Sequence, residues 1–320
     1  PPSSDDQLLG SVRDGFTQTA DKNVLRMADM AGDSPEASAV ADNSFSTTYT
    51  LESSVDEHDV VKYDGKHLFI APSRGMDCCM VIDDTTAPEI AAADAMPESS
   101  TSDGRSIRIF ATNPSDGGAS QVSSIDLSDH LSVEGLYLSE SQLVAIGSSG
   151  YWGGYGDSFS RSTNWASQKT ALYLYDIADI SSPKPQLTIE FDGGLVNSRK
   201  KGDMVYLVAR NTPEIEGFVY YPNDQQALEN ERLLAEIRLA DIMPNIVIDG
   251  AIRPLVAADD CLLADTEHPL SPVSNGVPTM TVLLAINLVD RQVARARCYL
   301  EPTNGIYVSE NAIYLSQIDY

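Results

Sequence analysis

A strand-turn-strand phrase recurs four times along this chain, each time in different words. It first reads Asp59-Val-Val-Lys-Tyr-Asp-Gly-Lys-His-Leu-Phe-Ile70, then Gly135-Leu-Tyr-Leu-Ser-Glu-Ser-Gln-Leu-Val-Ala-Ile146. It returns as Leu195-Val-Asn-Ser-Arg-Lys-Lys-Gly-Asp-Met-Val-Tyr-Leu-Val208 and as Gly305-Ile-Tyr-Val-Ser-Glu-Asn-Ala-Ile-Tyr-Leu315. Each copy is two β-prone runs around a turn signal: Asp64-Gly65, Gly202-Asp203 and, in the fourth, Glu310-Asn311. A hairpin repeated at long intervals means a repeated sheet, because one hairpin cannot bury its apolar face alone.

Two further β-prone runs follow each of the first three phrases. They are Ser106–Ala111 and Gln121–Leu127, then Ala171–Ile177 and Gln186–Phe191, then Met280–Leu288 and Val293–Tyr299. Four strands per unit is the make-up of a propeller blade. The expected fold is therefore all-β, a β-propeller of four-stranded blades, about three complete plus a partial one. The fourth phrase has no third or fourth strand after it, so the propeller is expected to be incomplete at the C-terminus, with a longer natural chain completing it. Long insertions separate the runs at about 76–104, 148–169 and 212–278.

Two helices are expected outside the repeats. Ser4 caps the first, Asp5 and Asp6 suit its first turn, and Leu8, Leu9, Val12 and Phe16 share one face. The second lies in the third insertion, with Asn223 as cap, Ala227, Leu228, Leu234, Ile237 and Arg238 as a mixed face, and Pro244 beyond it. Residues 29–44 are rich in Ala, Ser and Asp and read as a linker. The division follows: 1–44 as N-terminal helix and linker, 45–320 as the β-propeller domain.

Charge narrows the partners. Against 47 Asp and Glu stand 21 Lys and Arg, a net charge of −26, which repels nucleic acid and anionic membranes. No run of apolar residues is long enough for a membrane-spanning helix. The four cysteines, Cys78, Cys79, Cys261 and Cys298, form no C-x-x-C pair and allow three disulfide connectivities. Cys261 and Cys298 flank one expected blade and are the favoured pair. The chain opens on Pro1-Pro2, as a mature chain does after signal-peptide removal.

The phrase Val55-Asp-Glu-His-Asp-Val-Val-Lys-Tyr-Asp-Gly-Lys66, entered through Phe45-Ser-Thr-Thr48, resembles a family of secreted bacterial and archaeal β-propeller domains distantly related to WD40 repeats. Leu172-Tyr-Leu-Tyr-Asp-Ile177 with Ser182-Pro183-Lys184-Pro185 adds to the likeness, as does Ser198-Arg199 with Gly202–Val208. The chain departs from the pattern at His58 and Tyr63. The resemblance implies a propeller and a secreted, periplasmic or cell-surface location; it brings no reaction with it.

Catalytic motifs are lacking. There is no G-x-S-x-G elbow, no H-E-x-x-H helix and no calcium-loop spacing, so neither metal nor cofactor is expected and calcium has no motif behind it. Asp56-Glu57-His58-Asp59 are adjacent and alternate sides on an extended chain, so they cannot all converge on one ion. Arg199 is expected in a structural role, in a central channel or paired with Asp203. The most telling loop holds both tryptophans: Tyr151, Trp152, Tyr155 and Trp165 stand among glycines, a composition suited to stacking on sugars or peptides. The expected function is a secreted or cell-envelope binding or scaffold module with a protein, peptide or glycan partner. The alternative is a hydrolase or lyase with its site in the central channel.

Overall fold

The structure is a computed structural model that describes residues 2–21, 54–72, 106–127, 130–149, 165–263, 278–300, 305–309 and 311–316. The linker at 29–44, Phe45, Cys78, Cys79, Tyr151, Trp152 and Tyr155 lie outside these.

Four strands, β1 (Val61–Tyr63), β2 (His67–Ile70), β3 (Ser106–Asn113) and β4 (Gly118–Asp126), make an antiparallel sheet in chain order. The second sheet begins with β5 (Ser132–Leu138), β6 (Gln142–Ser148), β7 (Lys169–Asp176) and β8 (Lys184–Asp192). The third holds β9 (Gly194–Lys201) and β10 (Met204–Asn211), then, after a long insertion, β14 (Met280–Asn287) and β15 (Gln292–Leu300). The insertion contributes β11 (Asn245–Ile248), β12 (Ala251–Pro254) and β13 (Cys261–Leu263). A last hairpin pairs β16 (Gly305–Val308) with β17 (Ile313–Ser316). All four repeated phrases thus fall on the opening hairpin of a sheet. Among the described residues the sheets do not close into a ring.

Turn chemistry sets the hairpin registers. Gly202 and Asp203 form a two-residue loop between Lys201 and Met204, with Gly202 at φ 55°. In the first hairpin the loop lies one residue later than Asp64-Gly65. The Asp64 carboxylate accepts from the backbone N–H of Lys66 and of His67 at 2.8 and 2.5 Å, so Gly65 (φ 89°) and Lys66 turn the chain. A side chain at Gly65 or Gly202 would be strained in this left-handed region.

The middle sheet is buried on both faces, and its strands alternate accordingly. Tyr137, Val144, Ile146, Leu172 and Leu174 pack with Val205, Leu207, Val282 and Leu284 of the third sheet. Leu143, Ala145, Ala171, Tyr173 and Tyr175 point the other way, onto Phe69, Ile107, Ile109 and Ile125 of the first. This is why β6 and β7 read as continuous apolar runs: a period of two with both faces dry leaves no polar position.

The insertion does more than carry the expected helix. Its hairpin β11–β12 extends the second sheet beyond β8, and β13 lies parallel to β15 at the edge of the third. One segment therefore completes the outer edges of two sheets. Short strands without alternation hid this in the sequence. Helix α2 (Asp224–Glu236) starts at Asn223 with the reciprocal cap to Gln226. Its buried face is Asn230 and Leu234, whereas Leu228 is 67% exposed, about a third of a turn away from Ala227 and Leu234. Asn230 is satisfied by both backbone groups of Val219. A short helix, α3 (Leu239–Ile242), follows.

Helix α1 (Asp5–Asp21) docks on this insertion. Leu8, Val12 and Phe16 are fully buried, and Phe16 meets the Phe218 ring edge-on at 5.0 Å. Arg13 donates to the carbonyls of Ala235 and Ile237, capping the C-terminal end of α2. Ser3 donates its amide to the Cys261 carbonyl and its hydroxyl to the Ala258 carbonyl. Cys261 and Cys298, opposite each other on β13 and β15, form a buried disulfide. It closes a loop of 37 residues. We expect the Cys261→Ala/Cys298→Ala variant to lose about 2–4 kcal/mol of stability, measured by urea unfolding with a two-state fit. An unchanged midpoint would show that β13 is held without the bond.

Candidate functional site at the meeting of the inner strands

The strands that open the three sheets, β1, β5 and β9, meet around the segment that precedes β1. Its backbone is extended and bridges both neighbours. The amide and carbonyl of Asp59 pair with Leu136 in β5 at 3.2 and 2.7 Å. Those of Asp56 pair with Lys200 in β9 at 2.8 and 2.9 Å. Residues 55–62 therefore act as a strap across the other two sheets.

The side chains of the strap go to separate partners, as alternation on an extended chain requires. Asp56 receives the Lys62 ammonium at 3.0 Å, in a pair whose lysine is only 2% exposed. Lys62 also donates to the Glu57 carbonyl at 2.8 Å and lies over the Tyr137 ring, 5.8 Å from its centre. Glu57 meets Arg199 of β9 at 2.7 Å. Arg199 thus pairs with Glu57 instead of Asp203, and it further donates to the side chain of Asn197 and the carbonyl of Ser198. The bond to Glu57 ties the strap to the third sheet.

His58 makes the third tie. Its Nδ1 shares a hydrogen bond of 2.7 Å with the Ser198 hydroxyl, which shares another of 2.7 Å with the Tyr137 hydroxyl. The strap, β5 and β9 thus each bring one residue to this meeting at Ser198. Burial pulls His58 down to a pKa of about 4, with the cations Arg199 and Lys62 acting in the same direction. Burial likewise raises Tyr137 and lowers Lys200. Gly135 makes the approach possible: a Cβ there would stand 2.7 Å from His58 Cδ2 and 3.1 Å from the Asp59 amide. The register between β5 and β6 shifts at this point.

Serine beside histidine is the start of a nucleophile and base arrangement. Here Ser198 is 1% exposed, its hydroxyl is shared between two partners, and Tyr137 is fully buried. A substrate carbonyl has no approach to Ser198 in this conformation. The arrangement ties the strap to β5 and β9 through the buried Ser198 hydroxyl.

The sequence-derived binding residues divide. Tyr151, Trp152 and Tyr155 lie outside the described residues. Trp165 is fully buried: Arg210 sits 5.3 Å from its ring centre, and its carbonyl accepts from the Thr212 amide. Its ring is buried beside Arg210 and Gly194. Tyr137, Ser198 and Gly135 went unnoticed in the sequence as a site, since their partners are 61 residues or more away in sequence or across a bulge. The one available signal was Gly135 at the head of the apolar run Leu136-Tyr137-Leu138.

Neutral His58 makes stability depend on pH. Its pKa is near 6.5 unfolded and about 4 folded, so the unfolded chain takes up the proton first. Stability is full above pH 6.5 and declines as pH falls towards 4, by on the order of 3 kcal/mol from this group. Urea midpoints of wild type and His58→Asn between pH 7.5 and 4 should converge as pH falls. Parallel curves would place no titration at His58.

A family model described as a beta propeller domain matches residues 45–319. No curated protein and no solved structure matches the chain.

Proposed function

The chain belongs to the beta propeller domain family, and on that premise we propose that it is a secreted or cell-envelope binding or scaffold module. We place it in a bacterial and archaeal branch distantly related to WD40 repeats, with three complete blades and the start of a fourth. Its partner is a peptide, a glycan or another protein, met by loops on a rigid scaffold.

The observation that carries this reading is the closure of the strap. The ionisable and hydroxyl side chains of Asp56, Glu57, His58, Lys62, Ser198 and Arg199 are engaged with one another or with backbone between the sheets. These bonds give the side chains a scaffold role, which supports partner recognition by the loops that the scaffold carries. The buried Cys261–Cys298 disulfide supports an oxidising compartment. No helix among the described residues is long and apolar enough to cross a membrane.

The alternative, a hydrolase or lyase of the central channel, has one observation in its favour: the 2.7 Å contact between Ser198 and His58. A fluorophosphonate probe that labels wild type and not Ser198→Ala would favour it. For the binding reading, peptide and glycan arrays at several calcium concentrations should give hits that weaken by about tenfold or more in Trp152→Ala, the scale of a lost aromatic anchor. Equal silence from both proteins would count against it.

A further inference from the structure

Helix α1 is held from outside more than from within. Ser4 and Gln7 cap its first turn reciprocally. Beyond that turn its sequence favours helix poorly, with Gly10, Val12, Gly15, Thr17 and Thr19 along its length. The hydroxyls of Thr17 and Thr19 donate to the carbonyls of Arg13 and Gly15, a bond that loosens a helix slightly. No basic residue stands in its last turn. Helix α2 is the contrast: it is capped at Asn223 and Gln226 and braced by Arg232 between Glu229 and Glu236.

What holds α1 is the insertion. It packs on α2, on α3 and on the turn Ala258–Asp260. Leu8, Val12 and Phe16, four residues apart, enter one buried cluster with Leu234 and Ile242. Phe16 lies among rings, with Phe218 at 5.0 Å and Tyr220 at 6.2 Å. Arg13 reaches the Ala235 and Ile237 carbonyls at 3.2 and 2.7 Å, where α2 ends and a cation is favoured. This is the pattern of an amphipathic helix in a groove, with anchors at i, i+4 and i+8. The groove is built on the self-supporting helix, and its occupant is the weak one.

We propose that the insertion carries a docking groove for a basic amphipathic helix of another protein, and that α1 is its internal occupant, displaced when that partner binds. The partner presents apolar residues at i, i+4 and i+8 with arginine at i+5, as α1 does. It is basic because the chain carries −26, and α1 adds to that charge: Asp5, Asp6 and Asp14 outnumber Arg13. While α1 is docked, only the fraction of molecules with an open groove binds, so α1 sets the apparent affinity. A second copy of the chain fits worse, because it brings the same acidic helix and the same −26. The proposal rests on the binding-module reading and gives its partner a chemistry.

The probe is the peptide Lys-Lys-Ala-Leu-Ala-Lys-Ala-Val-Arg-Ala-Ala-Phe-Ala-Lys-Lys, with a counterpart carrying Glu in place of every Lys. With the full chain, the basic peptide should speed backbone hydrogen exchange across α1 by about tenfold or more and leave α2 unchanged. The acidic peptide should change neither. A Cβ at Gly10 meets open space, so Gly10→Ala strengthens α1 without touching the groove. It should weaken the basic peptide by about fivefold in fluorescence anisotropy. Phe16→Ala loosens α1 and, with a native circular dichroism spectrum, should tighten the peptide by a similar factor; a merely structural helix gives no such gain. No binding, unchanged exchange across α1, equal affinity for both peptides, or shifts of the wrong sign or none in the two variants would overturn the proposal. So would a concentration-dependent dimer of the unliganded protein that Phe16→Ala abolishes, since the groove would then belong to a second copy's α1. Array hits that neither substitution moves would sink the groove alone and leave the broader binding reading standing.

Discussion

Everything in this molecule leans on the strap of residues 55–62. Sheets packed face to face slide unless something fixes their relative position, because apolar burial has no direction. Hydrogen bonds do. The strap supplies paired backbone bonds to Leu136 and to Lys200, and the Ser198 hydroxyl joins His58 to Tyr137 between them. Ser198, Tyr137 and Leu136 are buried, so breaking a bond at one of them leaves a buried polar group unsatisfied. The apolar faces supply the larger share of the stability, and the strap selects one arrangement among those the faces would accept.

A second constraint works on the outside. The insertion after β10 sends a hairpin to the second sheet and a strand to the third, and the Cys261–Cys298 bond pins that strand. Helix α1 then packs on the insertion through Leu8, Val12 and Phe16. The second and third sheets are thus joined at the inner strands by the strap and at the outer edge by the insertion. The first sheet is held by the inner tie, by its packing against the second and by the Ser123 hydroxyl, which donates to the Ile180 carbonyl.

The legible part of this fold was the part governed by local rules. Turn glycines Gly65 and Gly202 marked hairpins, alternation marked strands, and Ser4 and Asn223 marked helix starts; all fall on the expected elements. The reading failed where pairing is long-range. Asn245–Ile248 and Cys261–Leu263 are too short to announce which sheet they join, and Arg199 chose Glu57 over its sequence neighbour Asp203. The partners of the strap were equally distant from local rules: Asp56 goes to Lys62, Glu57 to Arg199 and His58 to Ser198. Trp165 had the composition of a binding residue and the position of a core residue, and only burial separates these. The meeting at Ser198 needed three sheets to exist before it could be seen.

A double-mutant cycle on His58 and Ser198 tests the strap most directly. Urea unfolding of His58→Ala, Ser198→Ala and the double variant gives the coupling between them at pH 7.5. If the strap fixes the sheets, the two losses are non-additive by about 1 kcal/mol or more, because either single change already breaks the shared bond. Additivity within about 0.3 kcal/mol would mean that packing alone sets the arrangement and that the strap only follows it.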